Sequence, residues 1–301
     1  LKGTMRLYNR RGKHLITAKT EHKAVLDTCQ HLEKEGYSVT YLTPGQDGRI
    51  TPDMLLAAIR PDTVLVSLMQ VNNETGFIQD VAELAAITAA RGIFFHIDAA
   101  QSIGKVPLSV NSIPADLISL SAHKVYGPKG VGALYLRKRP RIRVEPLLHG
   151  GGHEQGMRSG TLPVHQIAGM GKAYELALTH LASEPVFITA LRDQFYHALQ
   201  PIAPLVQPVH DLHTCVPHIL NLSFNGLLAD ALLADLPGIA TSSASACQGK
   251  GTEGSYVLRA LGKTSEEAKS AIRFSFGRFS TADEISVATK AILALFKKSV
   301  E

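Results

Sequence analysis

Asp116-Leu-Ile-Ser-Leu-Ser-Ala-His-Lys-Val-Tyr-Gly-Pro-Lys-Gly130 is the stretch on which the reading of this chain turns. Leu117 to Leu120 form a short apolar run of strand type. They deliver Ser121, His123 and Lys124 to a segment that Gly127, Pro128 and Gly130 keep from continuing as a helix. The end of a strand in an α/β protein is where ligands bind, because the sheet fixes the loop while its polar groups stay accessible. Lys124 is thereby placed to act. Its amine can form a Schiff base with a carbonyl cofactor and later move protons, which is pyridoxal-phosphate chemistry. Taken alone, a lysine beside a Gly-Pro turn reads more readily as a surface residue, so the rest of the chain has to decide.

Outward from this stretch, strand-type runs at residues 14–18, 39–42, 64–69, 93–98, 117–120 and 132–136 alternate with helical patterns over 23–35, 53–58 and 81–91. Apolar strands separated by single helices predict a mostly parallel sheet with helices on both faces. From Pro163 the pattern becomes one long helix followed by a second, and the composition shifts. A chain of 301 residues exceeds the roughly 250 that one core usually serves, so two domains are expected, 1–175 and 176–301. The second should carry strands at 218–224, 238–241 and 272–276, and helices opening at Thr264 and Thr281 with capping partners Glu267 and Glu284.

Composition narrows the function classes. No apolar run approaches the roughly 20 residues that span a bilayer, and the expected compartment is the cytoplasm without membrane attachment. Cys29, Cys215 and Cys247 are too few and too widely spaced for a disulfide framework or a Cys-x-x-Cys zinc site. The net charge of +5 is mild, and no basic cluster is interleaved with aromatics, so direct nucleic-acid binding is not expected.

Further candidate residues follow in chain order. His22 stands at a helix start after a strand, where a histidine also serves as an ordinary cap. Val71-Asn-Asn-Glu-Thr-Gly76 ends in a turn glycine, and its asparagines either stabilise that turn or hold a carboxylate or a cofactor ring oxygen, which makes Asn73 a candidate for cofactor as well as substrate. Asp98 closes the apolar run of His96-Ile-Asp-Ala-Ala-Gln101, where an unpaired carboxylate is costly and a cationic partner is expected. His149-Gly-Gly-Gly-His153 precedes Arg158, Ser159 and Thr161, which can bind anions. Ser242-Ser-Ala-Ser-Ala-Cys247 opens a small-residue loop expected to be mobile and to expose its thiol, whereas Cys29 sits at core spacing. Arg273 lies within an apolar strand run and should hold a carboxylate.

Together, and in this order, these motifs resemble the cysteine desulfurases, pyridoxal-phosphate enzymes of the class V aminotransferase group, in their long-loop kind that serves iron–sulfur cluster assembly. The carriers are Thr-Glu-His22-Lys, Val-Asn-Asn73-Glu, His-Ile-Asp98-Ala-Ala-Gln101, Ser121-Ala-His123-Lys124, the glycine run through Thr161, Ser-Ser-Ala-Ser-Ala-Cys247 and Ile-Arg273-Phe-Ser. The resemblance implies a fold-type-I architecture: a large domain with a mostly parallel, seven-stranded sheet between helices, and a smaller C-terminal α/β domain. It implies that Lys124 binds pyridoxal 5′-phosphate covalently, Asp98 holds the ring nitrogen, Gln101 the phenolic oxygen, and His22 stacks on the ring as an acid/base group. Ser121 and His123 would bind the phosphate with Thr161 of a second subunit, making a homodimer. Arg273 and Asn73 would hold the carboxylate of L-cysteine.

Cys247 would take the substrate sulfur as a persulfide and pass it to iron–sulfur scaffold and other acceptor proteins. No resident metal is implied, although Cys247 is a candidate transient iron–sulfur ligand. The family pattern also has a segment ahead of this sequence's first residue, with a Gly-Ala-Thr-Glu turn that bonds the phosphate, and a C-terminal tail that docks the scaffold. Phosphate anchoring by the residues at hand is expected to be incomplete without that turn. A selenocysteine lyase, another class V enzyme, or an inactive paralogue with a partner-binding role are the alternatives.

Overall fold

The computed structural model describes residues 1–243 and 254–298, which fall into two compact units. The first comprises Leu1–Pro44, Arg49–Val71 and Gln79–Leu181; the second comprises Gly45–Gly48, Asn72–Ile78 and the chain from Ala182 onward. The expected division at residue 175 would cut a helix that runs unbroken from Val164 to Thr179, and the units part after it.

In chain order the first unit holds α1 (Lys2–Leu7), β1 (His14–Ala18), α2 (Lys23–Lys34), β2 (Ser38–Leu42), α3 (Pro52–Ala58), β3 (Thr63–Met69), α4 (Val81–Ala89), β4 (Phe94–Asp98), β5 (Leu117–Ser121), β6 (Gly132–Leu136) and α5 (Val164–Thr179). The strands lie in the order β2-β1-β3-β4-β5-β6, with every neighbouring pair parallel except β5 and β6. Six strands, not seven, make the sheet among the described residues. Each of the six strand-type runs of this half is used, and none is left to supply another.

Period-two alternation divides the strand residues between two faces. Ile16, Val66, Leu68, Phe95 and Ile97 pack with Leu55 of α3 and Val81 and Leu84 of α4. Leu15, Leu65 and Leu117 pack with Met5 of α1 and Val25, Cys29 and Leu32 of α2, and Val64 joins them where a register shift between β1 and β3 interrupts the alternation. All seven residues of β3 are buried, as befits a central parallel strand covered on both sides.

Two histidines stand inside this sheet and are fully partnered. His14 on β1 reaches Thr63 Oγ1 and Thr40 Oγ1, each at 2.8 Å, and so ties β3 and β2 to the strand between them. His96 on β4 does the same with Ser67 Oγ of β3 and Ser119 Oγ of β5, again at 2.8 Å. Burial holds the His96 pKa down at about 3, so the ring is neutral and exchanges hydrogen bonds only with hydroxyls.

The second unit holds α6 (Glu184–Ala198), β7 (Val206–Pro208), β8 (Ile219–Phe224), α7 (Ala229–Ala234), β9 (Ser242–Ser243), α8 (Tyr256–Ala260), α9 (Ser265–Lys269), β10 (Ala271–Ser275) and α10 (Ala282–Lys298). Its sheet is antiparallel in the order β7-β8-β10-β9, and Phe195, Phe224, Phe274 and Phe276 anchor the core beneath it. Both expected capping boxes are formed. Thr264 Oγ1 accepts from Glu267 N at 3.2 Å while Glu267 Oε2 accepts from Thr264 N at 2.7 Å, and Thr281 pairs with Glu284 in the same way. The strand expected at residues 238–241 is instead β9, because the chain turns at Pro237-Gly238 once Leu236 is buried. No helix among the described residues is long and apolar enough to cross a membrane.

Candidate active site

In the first unit the chemistry-bearing residues gather where β1, β4 and β5 end. Asp98 is the last residue of β4, with one carboxylate oxygen accepting from Ala100 N at 2.9 Å. Burial raises its pKa, and against this act that backbone donor and the charges of His22 and Lys124. Lys124 and His22 therefore lie within electrostatic reach of Asp98, although both are largely exposed. Gln101, three residues beyond Asp98, accepts from Lys105 Nζ through Oε1 at 2.8 Å. Its amide NH2 is the group left to meet an oxygen.

Ser121 ends β5, and His123 and Lys124 follow on one 3-10 turn spanning Ala122–Val125, where the sequence suggested an open loop. Tyr126 halts that turn in the left-handed region at φ 66°, a strained choice for a non-glycine residue. Gly127 N then donates to Ala122 O at 3.0 Å, and a Cβ at Gly127 would stand 2.9 Å from that same oxygen. Only glycine lets the chain double back so closely behind Lys124. The His123 pKa is lowered, first by lost hydration and then by Lys124 and Lys129.

The loop after β1 contributes His22 and a residue that sequence reasoning passed over. His22 Nδ1 accepts from Ala24 N at 3.1 Å and caps α2. The capping role anticipated for any histidine here is real, and it leaves Nε2 as the ring nitrogen for other work. Glu21, beside it, is buried and accepts from Met69 N through Oε1 at 2.9 Å. Burial raises its pKa well above the usual range, and the nearby Asp98 adds to the effect. Its local sequence, Thr-Glu-His, reads as a polar turn, and the group that buries it, Met69 N, lies 48 residues away in sequence.

In the second unit, Asn72 makes the turn. Its Oδ1 accepts from Glu74 N at 2.9 Å and Thr75 N at 3.0 Å. Asn73 is held by its main chain, its carbonyl accepting from Arg273 Nη1 at 2.8 Å. Asn73 Oδ1 and Arg273 Nε are buried and have no hydrogen-bond partner among the described residues. A buried guanidinium N–H without an acceptor suits a carboxylate ligand.

Thr161 lies exposed in the first unit after the glycine run, near Arg158, whose Nη1 donates to Ser159 O at 3.2 Å. The structure does not bring it into the cluster around Asp98. Cys247 and its loop lie outside the described residues. Burial pushes the thiols of Cys29 and Cys215 up to about 12 and about 11, so neither is a nucleophile at neutral pH. No cluster of three or more metal-ligating side chains occurs among the described residues.

The donor set at the strand ends fits pyridoxal phosphate. A half-buried carboxyl can take a cationic partner, a carboxamide presents N–H, an amine stands within reach of the carboxyl's field, and Ser121 and His123 supply anion donors beside it. The chain belongs to the aminotransferase class-V family, whose pattern matches residues 2–287. Within that class it is 54% identical over 299 residues to cysteine desulfurase IscS of Pseudomonas entomophila, a match spanning 99% of this chain and 74% of that protein. The protein of the same name from Pseudomonas aeruginosa is 51% identical over 298 residues, with the same coverage of both chains. Among solved structures, a NifS-like protein aligns with a TM-score of 0.90 at 34% identity, covering 98% of this chain and 78% of its own. A structure of SspA in complex with cysteine aligns at 0.79 and 35% identity, covering 93% and 78%. The architecture is that of the fold-type-I pyridoxal-phosphate enzymes.

Proposed function

We propose that this chain is a cysteine desulfurase that converts L-cysteine to L-alanine and supplies the sulfur for iron–sulfur cluster assembly. The observation that carries the reading is the placement of Lys124 and His22 within the field of the half-buried Asp98 at the strand ends. Relatives named cysteine desulfurase at more than half identity give the substrate.

Lys124, Asp98, Gln101, His22, Ser121 and His123 would hold pyridoxal 5′-phosphate, with Thr161 of a second copy joining the phosphate donors. When bound, the cofactor supplies an electron sink that loosens bonds at the substrate's Cα and Cβ. Asp98, raised by burial, is stabilised as an anion by a cation placed against it and so maintains that sink. Gln101 offers its amide N–H to the ring oxygen. Lys124 Nζ would carry the proton on and off Cα, and His22 Nε2 would exchange protons beside it.

Arg273 takes the substrate carboxylate through its unpartnered Nε, and Asn73 adds its side-chain amide. Cys247, as thiolate, attacks the substrate sulfur. The new S–S bond forms as the Cβ–S bond breaks, and protonation of the carbon fragment gives L-alanine and a persulfide on Cys247. Sulfur acceptors and an iron–sulfur scaffold then collect it in the cytoplasm. The exposed apolar residues Leu134 on the edge strand β6, Leu147, Leu148, Val164 and Ile167 support a homodimer.

The test is a Cys247→Ser variant loaded with cofactor. The reading expects substrate to change the cofactor absorbance as it does in the unsubstituted protein while persulfide formation stops; undiminished sulfur transfer to an acceptor would refute the carrier role.

A further inference from the structure

The turn after β3 carries an arrangement of which the reaction above uses Arg273 and Asn73 but not Glu74, Asn221 or Ser255. Asn221 on β8 and Arg273 on β10 are cross-strand partners, and they grip consecutive carbonyls of this turn. Arg273 Nη1 donates to Asn73 O at 2.8 Å, and Asn221 Nδ2 donates to Glu74 O at 3.0 Å. The Glu74 side chain is buried and is bonded to Ser255 Oγ, at the N-cap of α8. Three separate elements thus fix one buried carboxyl group beside the strand that bears Arg273.

Around it remain atoms with nothing to bond among the described residues: Arg273 Nε, Asn73 Oδ1 and Asn221 Oδ1. A guanidinium whose main-chain contact is neutral and whose Nε is open is only half satisfied. Glu74 is the carboxyl that its field reaches. A structural salt bridge would be direct and complete; this pairing is held at one remove, with Glu74 bound to Ser255 instead. Any second carboxylate reaching Arg273 then competes with Glu74 for the same positive charge.

We propose that Glu74 is a positioning residue for Arg273, whose charge state decides how much of the guanidinium's field is free when a substrate carboxylate arrives. The proposal rests on the reading that Arg273 holds that carboxylate. Its consequence follows from linkage. Burial raises the Glu74 pKa to about 7, with the Ser255 hydroxyl and the Arg273 charge opposing the rise. Among the described residues, Arg273 on β10 is the charged group acting on it; Ser255 on α8 and Asn221 on β8 are neutral. Below this value Glu74 is neutral and Arg273 presents a full positive charge. Above it, Glu74 is an anion and offsets that charge. Carboxylate affinity therefore falls as pH rises through neutrality, and carboxylate binding raises the Glu74 pKa in return.

The experiment follows the Glu74 carboxyl carbon by NMR in glutamate-labelled protein, assigned by its loss in Glu74→Gln. In parallel, the affinity of cofactor-loaded protein for L-alanine is measured from about pH 6 to about pH 8, an interval that brackets the titration. Arg273→Ala should move the Glu74 midpoint upward, and so should saturating L-alanine. A shift of about one unit corresponds to an affinity about tenfold weaker at the alkaline end in the wild type. Glu74→Gln keeps an acceptor for Ser255 Oγ and removes the charge; its affinity should lose this extra pH dependence and exceed the wild type's at the alkaline end.

If Arg273→Ala leaves the Glu74 midpoint in place, or Glu74→Gln retains the wild-type slope while Arg273→Ala abolishes L-alanine binding, the coupling is overturned and the reading of Arg273 stands. If Arg273→Ala binds L-alanine as tightly as the wild type, the reading of Arg273 falls and takes the inference with it.

Discussion

The histidines inside the parallel sheet and the histidine at its rim use the same side chain for opposite ends. His96 has both ring nitrogens bound to hydroxyls of the flanking strands, and burial keeps it neutral. His22 commits Nδ1 to the first turn of α2 and keeps the rest of its ring exposed. The middle of the sheet uses polar groups to hold β3, β4 and β5 in register. The rim, where β1, β4 and β5 end, leaves polar groups half-satisfied. A histidine spent on structure is recognised by having nothing left to offer; one suited to chemistry keeps a nitrogen.

The sharpest separation of rim from interior should come from Lys124→Ala. Activity is expected to fall at least about 1,000-fold with loss of the visible absorbance of the lysine-bound cofactor, because both covalent anchor and base are gone. Its melting temperature without cofactor should be unchanged, since Lys124 is exposed. A calorimetric melt beside the absorbance spectrum checks both.

Next is His96→Ala, which leaves a cavity and strips the Ser67 and Ser119 hydroxyls of their partner; a stability loss of about 3 kcal/mol is expected from denaturant titration. This site also has a pH signature. The folded state holds His96 near 3 while the unfolded chain protonates near its ordinary value of about 6.5, so its stabilising contribution is full above about 6.5 and is lost as pH falls. Acid melts of His96→Gln should show a shallower decline than those of the wild type.

His22→Asn keeps a side-chain acceptor for Ala24 N and removes the ring. Turnover should drop about 100-fold while stability stays within about 0.5 kcal/mol, whereas His22→Ala should also lose about 1 kcal/mol through the missing cap. Equal activity losses are expected for the two, and unequal losses would mean that the cap, not Nε2, carries the effect. The smallest change is Thr264→Ala, which opens the capping box with Glu267 and should cost about 1 kcal/mol in a thermal melt, with activity intact.

Much of this is legible in the sequence. The apolar runs of β1, β3, β4 and β5 announced themselves because central parallel strands are buried on both faces and cannot hide their composition. Lys124, Asp98 and Gln101 were legible because each lies at the end of such a run or within three residues of it. Glu21 and Glu74 were not singled out, since a glutamate in Thr-Glu-His or Asn-Asn-Glu reads locally as a polar turn. Their burial is created by distant groups, Met69 N in one case and Ser255, Asn221 and Arg273 in the other. The same holds for His96, whose two partners come from different strands and leave no local pattern. The misplacement of β9 has a simpler cause: Pro237 and Gly238 already form a turn, and the pairing with β10 begins only at Ser242.

The central claim, that Lys124 and Cys247 serve one reaction on one substrate, is tested most directly by mass spectrometry of the Cys247 peptide after the cofactor-loaded protein meets L-cysteine without reductant. The account predicts the mass gain of one sulfur atom on that peptide, matched by an equal amount of L-alanine and absent in Lys124→Ala. L-alanine formed with no sulfur added at Cys247, or sulfur added equally in Lys124→Ala, would contradict it.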